Sequence, residues 1–130
     1  MTSGKKTPPE LWAERLRAIC LDYPEATEQE TWGHPTFRVN DKIFAGMGTD
    51  DDGLTAMSMK AEPGAQGGLL DEGHPFFYPK YVGSKGWIGV VVDGQTDWDR
   101  IADLVDDSYR AIAPKKLVKL LDESRSRESQ

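Results

Sequence analysis

Polar and apolar positions repeat with two different periods along this chain, and the switches between them mark its organisation. Trp12, Leu16, Ile19, Cys20 and Tyr23 follow the i, i+4, i+7, i+8, i+11 spacing of one helix face. Thr7-Pro8-Pro9-Glu10 precedes that stripe. The Thr supplies an N-cap oxygen, Pro suits the first helical position, and Glu falls three residues after the cap. The pattern predicts a helix from Thr7 to about Asp22, ended by Pro24.

The period then shortens. The runs "TEQETW", "TFRV", "KIFAGMGT" and "LTAMSMK" are separated by Gly-His-Pro, Asn-Asp and Asp-Asp-Asp-Gly, each a turn signal, which predicts an antiparallel meander of about four strands. With Asn40-Asp41 as a two-residue turn, Val39 pairs with Lys42 and Phe37 with Phe44. Phe37, Val39 and Phe44 then share one face and Arg38 points to the other. A longer turn would shift the register and exchange the faces, but Lys42 stays near the hairpin tip in either register.

Residues 61–75 are Gly-rich around a short helix expected at Ala65 to Glu72. "FFYPKYVGSKGWIGVVVDG" carries the next extended segment, clearest from Gly86 to Val92, with Ile88, Val90 and Val92 on one side and Trp87, Gly89 and Val91 on the other. Thr96 or Asp97 caps a helix through Ala113 whose buried side is Trp98, Ile101, Leu104, Val105, Ser108, Tyr109 and Ile112. Pro114 interrupts it, and "KKLVKLLDE" resumes a short amphipathic helix. The expected organisation is one domain over residues 7–123, with flexible polar tails at 1–6 and 124–130.

Composition narrows the functional classes. A chain of 130 residues buries a sizeable core without a disulfide or structural metal. Its one cysteine, Cys20, lies in an apolar stripe and reads as an inert buried thiol, which points to a reducing, cytoplasmic setting. No window approaches a membrane span, and "MTSGKKTPPE" lacks the apolar run of a signal peptide. The net charge of −6 repels polyanions unless the basic groups are segregated from the acids.

Specific chemistries are mostly excluded by spacing. Asp50-Asp51-Asp52 lacks the alternating oxygen ligands and distant Glu of an EF-hand, and reads as a solvated turn. The glycines match neither phosphate-binding fingerprint. His34, His74 and Cys20 show no zinc spacing, so no metal or other cofactor is expected. No Ser lies in a nucleophile elbow and no carboxylate has a partner at informative spacing, so no enzyme is expected. Basic residues fall on or beside the strands, around Trp87. Either they form a face for a nucleic-acid strand, or Trp87 packs under a helix and the lysines keep the sheet soluble.

The succession of "ETWGHPTFRVNDKIFAG", "YPKYVGSKGWIGVVVDG" and "DWDRIADLVDDSYRAIAPKKL" resembles the MmcQ/YjbR-like family of small bacterial proteins over about residues 10–122. The resemblance implies an α+β fold of two layers, an antiparallel sheet with helices packed on one face, similar to secretion-chaperone-like folds and also described as a double wing. Members are commonly labelled DNA-binding. A non-enzymatic DNA-binding domain is therefore expected, with Arg38, Lys42, Lys60, Lys80 and Lys85 as phosphate contacts and Trp87 as the stacking ring. The alternative is an adaptor or chaperone-like module, monomeric or homodimeric, that binds a protein partner or small ligand and no nucleic acid.

Overall fold

Thr7 opens the first helix as its sequence suggests: its hydroxyl accepts the Glu10 amide at 3.3 Å, and α1 runs Pro8–Cys20. The computed structural model describes residues 6–128. The expected N-terminal tail, apart from Lys6, and the last two residues lie outside the described residues. Leu16, Cys20 and Tyr23 from the predicted stripe enter the core, and Trp12 and Ile19 pack against it. Cys20 is a free thiol, and burial pushes its ionisation well above the ordinary range.

The strands β1 (Thr27–Thr31), β2 (His34–Val39), β3 (Lys42–Thr49) and β4 (Thr55–Lys60) form the expected meander. After α2 (Gln66–Asp71), the two-residue β5 (Phe76–Phe77), a 3-10 turn at Gly83–Lys85 and β6 (Trp87–Val91) complete a six-stranded antiparallel sheet in the order β1-β2-β3-β4-β6-β5. Then come α3 (Trp98–Ile112), capped by the Asp97 carboxylate, and α4 (Lys115–Glu128). The helices pack on one face of the sheet, giving an α+β fold of two layers. No helix among the described residues is long and apolar enough to cross a membrane.

One turn and one strand register differ from expectation. Gly-His-Pro does not separate the first two strands. The turn is Trp32-Gly33, with φ of 53° and 82°, and His34 already pairs with Thr31. At the next hairpin Asn40 and Asp41 adopt φ of 51° and 62°, and Val39 pairs with Lys42. This is the left-handed pair whose twist matches the strands of a two-residue hairpin. Phe37, however, pairs with Ala45 rather than Phe44, because the register shifts at a bulge between Phe37 and Arg38. A bulge sets two residues of one strand against one of the other. Phe44 is the extra residue, and both it and Ala45 are fully buried.

The bulge leaves Phe44 and Lys60 with backbone groups that the ladder does not pair, and α3 supplies their partner. The Ser108 hydroxyl accepts the Lys60 amide at 2.9 Å and donates to the Phe44 carbonyl at 2.6 Å, with Ser108 fully buried. A hydroxyl is suited to this position because it is donor and acceptor at once. Around it, the Tyr109 ring meets Phe44 edge-on at 5.3 Å and Tyr23 at 4.6 Å, and its hydroxyl donates to the Pro24 carbonyl.

The last helix is longer than its sequence pattern, continuing through residues 124–128 where a polar tail was expected. Leu117 and Leu121 bury its inner side. Arg125 pairs with Asp106 at 2.8 Å and stacks over the Tyr23 ring, so the polar stretch finds partners that its composition does not reveal. Arg110 bridges Asp106 and Asp122 and ties α3 to α4. Burial pushes the Asp106 carboxyl up, but hydrogen bonds from Arg110, Tyr23 and Arg125 outweigh it and hold the group below the usual aspartate range.

Candidate functional site

The helices leave the second face of the sheet open, and strand register decides what occupies it. Directly opposed residues share a face, so Thr36, Gly46, Ser58, Gly89 and Phe77 form one row across the open side, with Gly48, Ala56 and Val91 beside it. Most of these side chains are small. The far end of the Phe77 ring sits over Gly89, where a Cβ would come to 2.4 Å from it, so any larger residue there would force the ring to move. Strands β2 to β6 contain no Asp or Glu; their charged residues are Arg38, Lys42 and Lys60. Glu28 of β1 opposes Phe37 and points to the helical side, where Arg17 grips both its oxygens at 2.6 and 2.8 Å.

Most of the residues singled out from sequence come together at one end of this face. Lys60 is directly opposite Trp87, and Arg38 lies in the adjoining rung opposite Ile43. Three strand spacings separate Arg38 from Trp87, roughly 15 Å. Lys42 flanks the hairpin turn at the same end but opposes the buried Val39, which puts it on the helix-covered side rather than in the open row, and Lys85 ends the 3-10 turn two residues before Trp87. Trp87 is partly buried but outside the core cluster, with Lys85 exposed beside it. The Gln66 amide donates to the Trp87 and Gly83 carbonyls, both at 2.7 Å, which fixes the backbone that carries the ring.

Arg38 is held by a chain of hydrogen bonds across the open face. Its Nη2 donates to the Thr31 hydroxyl at 3.2 Å, Thr31 and Thr36 share a bond of 3.1 Å, and the Thr36 hydroxyl donates to the Gln29 carbonyl at 2.7 Å. Because Thr36 spends its proton on Gln29, Thr31 must donate to Thr36 and accept from Arg38. The guanidinium therefore lies along the sheet rather than extending into solvent. Its Nε has no hydrogen-bond partner among the described residues.

Lys80 stands apart. It lies at the opposite end of the face, 3.4 Å from the Asp51 carboxylate. There it lines a groove of about 560 Å³ with Trp32, His34, Gly48, Ala56, Ser58, Phe77 and Tyr81. Trp32 and Tyr81 were not among the residues marked from sequence, yet they are 95% and 92% exposed. The signal available was Trp32 beside Gly33, a bulky residue next to a turn glycine. For Tyr81 nothing in the local pattern distinguishes it from Tyr78, whose ring covers Gly83. Among the described residues, no group of three or more His, Cys, Asp or Glu is arranged to hold a metal ion.

The YjbR family model matches residues 21–111, from the end of α1 through the whole sheet and nearly all of α3. The chain belongs to the YjbR family. A crystal structure of a Deinococcus radiodurans protein with a DUF419 domain superposes with a TM-score of 0.64 at 22% identity, covering 82% of this chain and 85% of that one. A Pseudomonas syringae protein gives 0.63 at 17% identity, covering 81% and 98%. At these identities the likeness establishes the fold alone. No curated protein sequence matches the chain.

Proposed function

We propose that this YjbR-family protein is a non-catalytic binding domain that takes a nucleic-acid strand across the open face of its sheet. The observation that carries the reading is the segregation of charge. The strands β2 to β6 bear only cations, while the acids that make the chain negative lie in β1, α2 and the connecting loops, the helices α1, α3 and α4 carrying cations and acids together. A net charge of −6 is therefore compatible with a cationic surface, since exposed charges farther away than a Debye length, ~8–10 Å, are largely screened. Arg38, Lys60 and Lys85 neutralise phosphates along the row, and the Trp87 indole supplies a sequence-tolerant surface for one base. A half-buried ring beside cations suits an unpaired strand, whose bases are free to stack.

The test is fluorescence anisotropy with a labelled oligothymidylate and with a duplex of equal length across a salt series. The single strand should bind more tightly, with log K falling linearly against log salt. Trp87→Ala should remove roughly 1–3 kcal/mol of that affinity. Absence of binding to either oligonucleotide at low salt would overturn the proposal.

A further inference from the structure

The other end of the open face has a different character. We infer that the groove between Trp32 and Tyr81 docks an extended, proline-rich peptide segment bearing arginine or lysine.

The backbone gives the first reason. Trp32 and Tyr81 have φ of 53° and 67°, in the left-handed region. There an L-residue other than Gly, Asn or Asp is uncommon, and a bulky one is an outlier. Trp32 occupies the first central position of a two-residue hairpin turn, where Asn or Gly is the usual residue. Tyr81 is fixed by a tight loop in which the Val82 amide bonds the Lys80 carbonyl at 2.7 Å and the Gly83 amide bonds the Pro79 carbonyl at 3.0 Å. Neither ring contributes to the core. The fold thus holds two large aromatic side chains in unfavourable backbone conformations, almost wholly in solvent, on the lining of one groove. Folding gains nothing evident from this arrangement; a ligand that stacks on both rings would.

The floor and the charge then choose the occupant. Gly48, Ala56 and Ser58 keep the floor low, and a Cβ at Gly48 would meet nothing within 4 Å, so another backbone has room to approach closely. Aromatic ridges over such a floor match a polyproline helix, which is already extended and loses little entropy on docking. Asp50 and Asp51 also line the groove, and Lys80 is its one lysine, standing against Asp51. Carboxylates beside aromatic faces favour a cationic side chain and disfavour phosphates. A peptide with arginine or lysine between prolines therefore fits this end better than the nucleic acid assigned to the Lys60 and Trp87 end.

The probes are a fluorescein-labelled Arg-Pro-Pro-Arg-Pro-Pro-Arg peptide, its counterpart with Glu in place of Arg, and a labelled oligothymidylate, each titrated into the full chain. The Arg peptide should bind and the Glu peptide should not. Trp32→Gly and Tyr81→Gly should each weaken the Arg peptide about tenfold or more, the loss of one stacking or cation–π partner. Both glycines suit the local backbone, so the thermal midpoint should hold or rise while affinity falls. Lys60→Ala should leave peptide binding unchanged, which separates this result from the nucleic-acid proposal. The inference is overturned if the Arg peptide does not bind, if it binds equally well to Trp32→Gly and Tyr81→Gly as expected of unspecific attraction to an acidic protein, or if those substitutions weaken only the oligothymidylate.

Discussion

The two faces of the sheet are built by the same strands from opposite kinds of residue. The covered face presents Phe37, Phe44, Met57, Met59, Ile88 and Val90, each at most 1% exposed, against α3 and α1. The open face presents glycines, Ser58, Thr36 and a few cations, with its aromatic rings at the margins. A sheet in water needs only one apolar face to be stable. Stability is therefore concentrated on one side, and the other side is released from packing and available for recognition. If this division holds, substitutions on the two faces should fall into separate classes: loss of stability on the covered side, loss of binding on the open side.

The sharpest way to break the comparison is Phe44→Ala. Its ring is fully buried and meets Tyr109 at 5.3 Å and Tyr23 at 6.1 Å. Truncation should cost roughly 3–5 kcal/mol, the range for a large buried aromatic, in a denaturant melt followed by near-UV circular dichroism. A cost under about 1 kcal/mol would mean that the covered face is not the core assigned to it.

Ser108→Ala should come next, because this hydroxyl links the two faces. Removing it strands the Phe44 carbonyl and the Lys60 amide inside the layer. Each buried group left unpaired costs about 1–3 kcal/mol, so a loss of that order is expected. Hydrogen exchange at the Lys60 amide should accelerate in parallel, and unchanged protection there would refute the bridging role. Lys60 belongs to the candidate site, so this variant also tests whether the site depends on the bulge beneath it.

Asp106 offers a pH-dependent test on the covered side. Burial pushes its carboxyl up, yet Arg110, Tyr23 and Arg125 hold it below the usual range. The unfolded chain therefore binds this proton more readily than the folded one. Its contribution is present above about pH 4, the ordinary aspartate value, and is lost as pH falls through the depressed folded value. Glu28 and Glu72, lowered by hydrogen bonds from Arg17 and Arg100, act in the same direction. Asp107, pushed up by burial and then by Glu62, Asp106 and Asp103, acts in the opposite one. Chemical melts between pH 3 and 7 should show a shallower acid limb for Asp106→Asn than for the parent chain. An identical pair of limbs would show that Asp106 does not latch α3 to α4.

Much of the fold was legible because its signals are local. The Thr7 cap, the Leu16, Cys20 and Tyr23 stripe and the Asn40-Asp41 turn each need only a few neighbouring residues to be read. The bulge at Phe44 was hidden because its partner, Ser108, is 64 residues away, and a buried Ser on a helix face reads as a filler until its two bonds are seen. The end of α4 was hidden for a similar reason, since Arg125 needs Asp106. For the candidate site, alternation along β6 put Trp87 on the side away from Ile88, but it could not tell that Lys80 lies at the far end with Asp51. Trp32 escaped because periodicity treats it as the end of a strand, whereas it forms the turn itself.

The smallest expected effect on stability is also the most discriminating for the open face. Lys60 is only partly buried, and its side chain makes no ion pair in the structure among the described residues, while its backbone is held by Ser108 and by pairing with Trp87. Lys60→Ala keeps those backbone bonds and should change stability by no more than about 0.5 kcal/mol, as for surface positions without special contacts. On the nucleic-acid reading the same change removes one phosphate contact. The slope of log K against log salt should then fall by about 0.7, the value per neutralised phosphate for a single strand. Affinity should drop similarly for oligonucleotides of different sequence, since a phosphate contact carries no base information. A salt slope equal to that of the parent chain would place the strand away from Lys60, and with it from the cationic row that the open face presents.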